Sequence, residues 1–437
     1  MILKSLMVRL LNSRANRAFE AACRDPELAQ GRLWSEIWPE IGESPFWLTR
    51  RPSASPKLED FPISTYEDYR EPLENSFQKS ISDLSGHEIL FWCTTSGTSG
   101  YRKVFPLTDL LLREMQRTTK PYTYGLARLR PAALSGSIVY CAAAQSGEAT
   151  AAGIEVGYIS AYIYRTLPDF IRRNYAFPGE LFENGKIFAE WSSLYATIAD
   201  CSLLLAITPA SLSSLGRAIM QDKVRNLAII DGAREWPTGL PEVAVSSHRL
   251  KTIRNALEEP QLSFKKLWPK LSVVTTWKGS TCALQIPDLL KYLDDSVLVT
   301  DGQYSATEGW MTVPFIDDRV GSVFHPGAHI VEFLEDDKIL KPWQLVAGRE
   351  YEILLTTAMG FVRYRLGDVV ACRGFHHRSP ILEFRTKAGD AISLSQVRFS
   401  DVEITMAMTR ARFEPRGRWI FAPSATGDAL ELVTDSK

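Results

Sequence analysis

Apolar side chains recur along this chain in three successive rhythms. The first 45 residues keep helical spacing. Ile2, Leu6, Leu10 and Leu11 fit one face of an amphipathic helix. Asp25-Pro26 then reads as an N-cap followed by proline at the first helical position, with Leu28, Leu33, Trp34 and Ile37 as the apolar face. Pro62 interrupts the next stretch, and Ser64 or Thr65 is placed to cap a helix beginning near Glu67. Through the centre, short apolar runs alternate with helical patterns. Residues 137–144, 203–207, 271–276 and 297–300 are candidate buried strands, and Thr208-Pro209 opens a helix to about Gln221. Such alternation predicts α/β layers with ligands at the C-terminal ends of the strands. After about Met311 the rhythm shortens. Segments 330–334, 350–356, 362–365 and 369–373 lie too close together for helical crossovers, so an antiparallel barrel or meander is expected. From about Lys387 a small α+β tail runs to Lys437. The expected organisation is a large domain over 1–385, with α/β layers to about 310 and a barrel-like part over 311–385, followed by a short lobe over 386–437.

Composition narrows the class. The chain has 437 residues, 45% of them apolar and 23% charged, as in an ordinary soluble protein of two or three lobes. A net charge of −1 supplies no field for nucleic acid or a membrane surface, and no run approaches a membrane span. Six scattered cysteines lack any Cys-x-x-Cys pair and read as reduced thiols of a cytoplasmic protein. The first 19 residues carry Lys4, Arg9, Arg14 and Arg17 and no acid, a transit-peptide pattern as well as an amphipathic helix; the helix is preferred.

Candidate chemistry sits in three loops. The run from Thr94 to Lys103 packs Thr94, Thr95, Ser96, Thr98 and Ser99 around Gly97 and Gly100. Its glycines let backbone N–H groups converge on a polyphosphate, with Lys103 adding charge. It lacks the Walker A spacing, and a surface Ser/Gly turn is equally open. The second loop, Asp301 to Gly309, follows a predicted buried strand and carries Glu308. A carboxylate there suits Mg²⁺, which takes few protein ligands and keeps its waters; a capping glutamate is the alternative. The third, Arg363 to Asp368, ends on a carboxylate after a glycine, suited to a ribose diol or to an Asx turn.

In this order the loops resemble those of the adenylate-forming superfamily. Thr95-Ser-Gly-Thr-Ser-Gly100, Tyr304-Ser-Ala-Thr-Glu308 and Tyr364-Arg-Leu-Gly-Asp-Val-Val370 are similar to one branch, the auxin-responsive Gretchen Hagen 3 family of acyl-acid amido synthetases. Asp60 to Tyr69, Thr150 to Gly157, Leu267 to Leu271 and Phe384-Arg385 agree with that branch, and the likeness covers roughly 25 to 400. The resemblance implies an adenylation-type fold and a ligase that uses ATP and Mg²⁺. A carboxylic acid is adenylated, and an amine or amino acid then displaces AMP. It further implies that Thr95, Ser96, Gly97, Thr98, Ser99 and Gly100 cradle phosphate and that Lys103 neutralises it. Glu308 would hold Mg²⁺, and Thr307 would contact the α-phosphate. Tyr304 and Gly279 would flank the adenine, Asp368 would bind the ribose, and Arg385 would sit at the hinge. In relatives the acid pocket draws on the helix after the first loop, which carries Arg113, Arg117, Tyr122 and Tyr124, and on the segment containing Gly153. Arg113 and Arg117 read as a solvated face.

The tail departs from the superfamily pattern. Only 52 residues follow Arg385 (437 − 385), and no equivalent of the lobe's catalytic lysine stands out. A minimal lobe, a partner protein completing the site, or a non-catalytic nucleotide-binding protein each fit that shortness; a thioester-forming ligase fits the motifs less well. Among the histidines, the adjacent His376 and His377 are expected on opposite faces of a strand, unable to share a metal. His325 and His329 have helical spacing, but Pro326 and Gly327 intervene.

Overall fold

The computed structural model describes residues 2–94, 102–145, 147–388, 392–394, 397–399, 401–411, 419–424 and 430–434. The N-terminal helix runs Ile2–Arg24 and packs along the helix Asp109–Leu129, where the Ser5 hydroxyl donates to the Ala127 carbonyl at 2.6 Å. The helix is where the periodicity put it, but the buried face differs. Leu6, Leu10 and Leu11 are exposed, while Ser5, Phe19, Ala22 and Cys23 are buried. The small Ser5 at the crossing lets the two backbones approach, which a leucine would prevent. Asp25 caps the next helix, Pro26–Ile41, by accepting the Leu28 N–H at 3.1 Å. Thr65 caps Tyr66–Phe77 through a reciprocal box, its own N–H donating to Asp68 at 2.7 Å.

The four central runs become one parallel sheet, Ser137–Cys141, Cys201–Ala206, Val273–Thr276 and Leu298–Asp301, in that spatial order. Helix Pro209–Gln221 opens on Thr208, whose hydroxyl accepts the Ser211 N–H. Around this sheet Val139, Leu204 and Val274 pack with Tyr195, Phe264 and Trp268 in one core. Asp301 closes the last strand. Its buried carboxylate accepts the N–H groups of Lys278, Gly302 and Gly321 at 2.7–2.9 Å, tying the sheet's end to the region that follows.

Beyond Met311 lies a seven-stranded antiparallel sheet, ordered Thr312–Pro314, Ser322–Phe324, Ser379–Lys387, Tyr364–His376, Glu350–Thr356, Ile330–Glu335 and Lys338–Leu340. The two runs expected near 362 and 369 are one strand, Tyr364–His376, whose register slips against both neighbours. The sheet shares a core with the N-terminal part: Leu33, Trp47, Tyr69 and Trp92 pack together with Phe333, Tyr351, Phe361 and Tyr364. Strand Phe91–Thr94 pairs antiparallel with Val104–Leu107 and parallel with Glu155–Gly157, so the Ser/Thr/Gly run connects two paired strands. In the tail, Ile392–Leu394 pairs with Val397–Phe399, helix Asp401–Arg410 follows, and Trp419–Pro423 pairs with Leu430–Thr434.

Candidate active site

Thr307 and Glu308 form the turn of a tight two-stranded hairpin, Ser305–Ala306 against Gly309–Trp310. The turn drives Glu308 inward, leaving it 6% exposed while Thr307 stays half-buried. Tyr364 donates its hydroxyl to Glu308 Oε1 at a long 3.4 Å. Burial pushes the Glu308 carboxyl up to about 7; its own backbone N–H, Lys387 and Lys103 oppose the shift, and Asp368 adds repulsion. A buried carboxylate so weakly compensated is a candidate cation ligand.

Asp368 lies in strand Tyr364–His376, buried, directly across from Lys387. Tyr304 donates its hydroxyl to Asp368 Oδ2 at 2.7 Å, and the Lys387 ammonium bonds Oδ1. The Tyr304 ring stacks on Phe384, with centroids 5.9 Å apart and planes 16° apart, and it is only 7% exposed. Gly279 approaches the same strand: a Cβ there would meet the Phe384 carbonyl at 3.1 Å and Glu383 Cγ at 3.4 Å. Arg385 is anchored by Glu350 at 2.9 Å and Glu383 at 3.0 Å.

Lys103 lies 5.1 Å above the Tyr66 ring. With Tyr66, Tyr364, Arg365, Gly367 and Ala388 it lines a cleft of about 470 Å³. The cleft therefore joins the end of the first loop to the third loop and the hinge, and Tyr364 links its wall to Glu308. A wider groove of about 800 Å³ borders Asp25, Arg32, Glu36 and Arg378, and among the described residues none of the three motifs lines it. Thr95, Ser96, Gly97, Thr98, Ser99 and Gly100 lie outside the described residues.

The expected acid-pocket residues fare differently. Tyr122 spends its hydroxyl on Thr275 Oγ1 at 2.8 Å, which bonds Thr300 in turn, so it serves the helix–sheet junction. Tyr124 is half-buried on the same helix. Gly153 occupies an exposed turn at φ +79°, its N–H donating to the Thr150 carbonyl at 2.9 Å. Arg113 pairs with Asp109, while Arg117 bonds the Gly327 carbonyl and Glu36.

Two groups near the site, His329 and Glu114, hold a role that the sequence did not suggest; the sequence raises His329 only as a candidate metal ligand. His329, fully buried, accepts the Trp310 N–H at Nε2 (3.0 Å), and its Nδ1 faces Glu114 Oε2 at 3.4 Å. Glu114 in turn accepts the Ala358 N–H at 3.1 Å. This chain braces the hairpin that carries Glu308. A signal was present: Glu114 shares a helical stripe with the buried Leu111, Met115 and Thr118. A carboxylate on an apolar face needs a partner. The expectation for His376 and His377 is corrected. His377 turns to φ +54°, which breaks the strand's alternation, and both rings reach Glu20.

A parallel α/β sheet, an antiparallel sheet and a cleft lined by Lys103 and by Tyr364 to Gly367 define a recognisable architecture. It is similar to that of a structure described as "AtGH3.15 acyl acid amido synthetase in complex with 2,4-DB", at a TM-score of 0.81 and 18% identity, over 98% of this chain and 82% of that one. The GH3 family N-terminal domain matches residues 15–298 and the GH3 family central domain residues 322–387; the chain belongs to the GH3 family. It is 26% identical to the GH3.10 protein of Oryza sativa subsp. japonica over 82% of this chain and 77% of that protein. It is 23% identical to the indole-3-acetic acid-amido synthetase GH3.2 of Arabidopsis thaliana, over 94% and 83%.

Proposed function

We propose that this chain is an AMP-forming ligase that adenylates a carboxylic acid with ATP and passes the acyl group to an amino acid or another amine. The observation that carries this reading is a connected set of groups: Lys103 and Tyr364 line one cleft, Tyr364 bonds the buried Glu308, and the charges of Lys103, Lys387 and Asp368 act on Glu308, with Lys387 bonded to Asp368. The names of its GH3 relatives support the reaction class.

The chemistry suits these residues. An oxygen of the acid attacks the α-phosphorus, the bond to the β-phosphate breaks, and pyrophosphate leaves. The amine nitrogen then attacks the acyl carbon, AMP departs with its oxygen, and the nitrogen loses a proton. Both partners in the first step are anions, so placement and charge neutralisation dominate the barrier. Lys103 would counter phosphate charge at the cleft. Asp368 would accept the ribose hydroxyls after exchanging Lys387 for them. Thr307, at the hairpin turn, would lie beside the α-phosphate, and Thr95 to Gly100 would offer N–H groups to the phosphates. Glu308 fits Mg²⁺ as a ligand, because a cation supplies the compensation its burial removes. Bound there, Mg²⁺ would neutralise and orient the phosphates. Six free cysteines support a reducing, cytoplasmic setting.

The test is acid-dependent exchange of labelled pyrophosphate into ATP, run with aryl and alkyl acids, followed by AMP release with amino acids or coenzyme A. Exchange with at least one acid and AMP turnover that requires an amine are expected. Turnover by the isolated chain removes any need for a partner subunit. Nucleotide binding without exchange for any acid would instead identify a binding protein.

A further inference from the structure

Remote from that cleft, three ligand-type side chains converge where the N-terminal helix meets the turn of the longest hairpin. Glu20 comes from helix Ile2–Arg24; His376 ends strand Tyr364–His376, and His377 opens the turn to Ser379–Lys387. The two imidazole Nε2 atoms lie 3.3 and 3.2 Å from one carboxylate oxygen, Glu20 Oε2, and the three atoms are within 4.8 Å of one another. We propose that Glu20, His376 and His377 form a zinc site that clamps the N-terminal helix to this hairpin.

The spacing is what Zn²⁺ requires. Bonds of about 2.0–2.2 Å to nitrogen and oxygen at tetrahedral angles put donor atoms roughly 3.4 Å apart. The histidine-to-carboxylate separations already match, so an ion fits with small side-chain rotations. Two neutral imidazoles and one carboxylate suit Zn²⁺ better than Mg²⁺ or Ca²⁺, which prefer oxygen. Backbone geometry supports the site independently. A non-glycine residue at φ +54° carries a conformational cost, and here it is the left-handed turn at His377 that brings adjacent side chains to one point. The His376 ring is also held in place, stacked at 9° on Phe19 and edge-on to Phe315. All three side chains are about one-third exposed, so an ion has access and a water can complete its shell.

Without the ion, both Nε2 atoms donate to Glu20. Binding requires each imidazole proton to sit on Nδ1, which neutral histidine permits; protonation of either ring opposes it. The opposing charge is Arg24, with Nη2 3.8 Å from Glu20 Oε2 and a side chain 61% exposed, free to swing toward solvent.

The experiment is calorimetric titration of tag-free full-length protein with ZnCl₂ at pH 7.5, with excess Mg²⁺ present to occupy carboxylate sites. One equivalent should bind, and zinc should raise the melting temperature. Co²⁺ should give the intense visible bands of a tetrahedral site. Combining His376→Gln with His377→Gln should weaken binding roughly tenfold or more. Arg24→Gln should tighten it. Both variants should melt like the wild type in EDTA, because the altered side chains are partly solvated. Absence of stoichiometric binding, or binding unchanged in the double variant, overturns the site. Arg24→Gln gives a gain of affinity that a misfolded variant cannot mimic.

Discussion

Glu308 is the side chain on which the proposed chemistry turns. Burial lifts its carboxyl from 4.5 to about 7. A group with a raised folded pKa holds its proton in the native state over a range where the unfolded chain has released it. Stability therefore falls as pH rises from about 4.5 through about 7, and above that range the ionised carboxylate costs roughly 3 kcal/mol. Glu308→Gln removes that cost but keeps an acceptor for Tyr364. The variant should be more stable than the wild type at pH 8, by up to that amount, and nearly equal to it at pH 4.5. Denaturant melts at the two pH values check this, and an equal difference at both would show that Glu308 is not desolvated. The same variant should lower Mg²⁺-dependent pyrophosphate exchange by roughly 100-fold, on the scale of a lost electrostatic contact. An unchanged rate would remove Glu308 from the site. Greater stability with lost activity is the signature of a residue kept for chemistry.

The elements that present such residues were unevenly legible. Four apolar runs marked the parallel sheet because buried strands need unbroken apolar residues, and Asp25, Thr65 and Thr208 marked helix starts because caps are local. The hairpin holding Glu308 left no such trace. Its strands are two residues each, and one of its braces, His329, lies outside it in sequence. His329→Ala would strand the Trp310 N–H and remove the group facing Glu114 in a dry interior. A loss of about 4 kcal/mol is expected, from unmet polar groups together with the cavity. Gly309→Ala separates stability from function. Its Cβ would meet the His329 ring at 3.0–3.3 Å, forcing a small shift of the hairpin. The cost to folding should be about 1–2 kcal/mol. Exchange activity should fall roughly tenfold or more, because a misplaced Glu308 no longer meets its target. Parallel denaturation and exchange assays decide it; matched, small losses in both would mean the hairpin position is uncritical. The turn at His377 was illegible for a related reason: alternation along a strand is a rule about extended backbone, and it fails at a left-handed residue.

At the scale of the whole molecule, the chain is wound so that its early and late segments share one core while the parallel sheet builds another. That winding brings the loops near 103, 308 and 368 to one place, and their order in sequence was enough to suggest it. What sequence order could not convey is that Asp368, the carboxylate proposed to take the ribose, is already engaged in the free chain. Lys387, where the antiparallel sheet passes into the tail, bonds Asp368 on one side and Tyr304 bonds it on the other. A nucleotide bound as proposed would displace at least one of them, and Lys387, half-exposed, is the easier to move. On the proposed reading, nucleotide binding would be coupled to release of Lys387 from Asp368. Removing the lysine removes the competitor, so Lys387→Gln should tighten AMP binding about fivefold, equivalent to roughly 1 kcal/mol. If Lys387 instead swings onto the phosphate once the ribose takes its place, the same substitution weakens binding. Calorimetry with AMP and with adenosine separates the two: competition predicts tighter binding of both ligands, whereas phosphate contact predicts weaker binding of AMP alone. An affinity unchanged for both would mean that the Asp368–Lys387 pair does not gate the nucleotide.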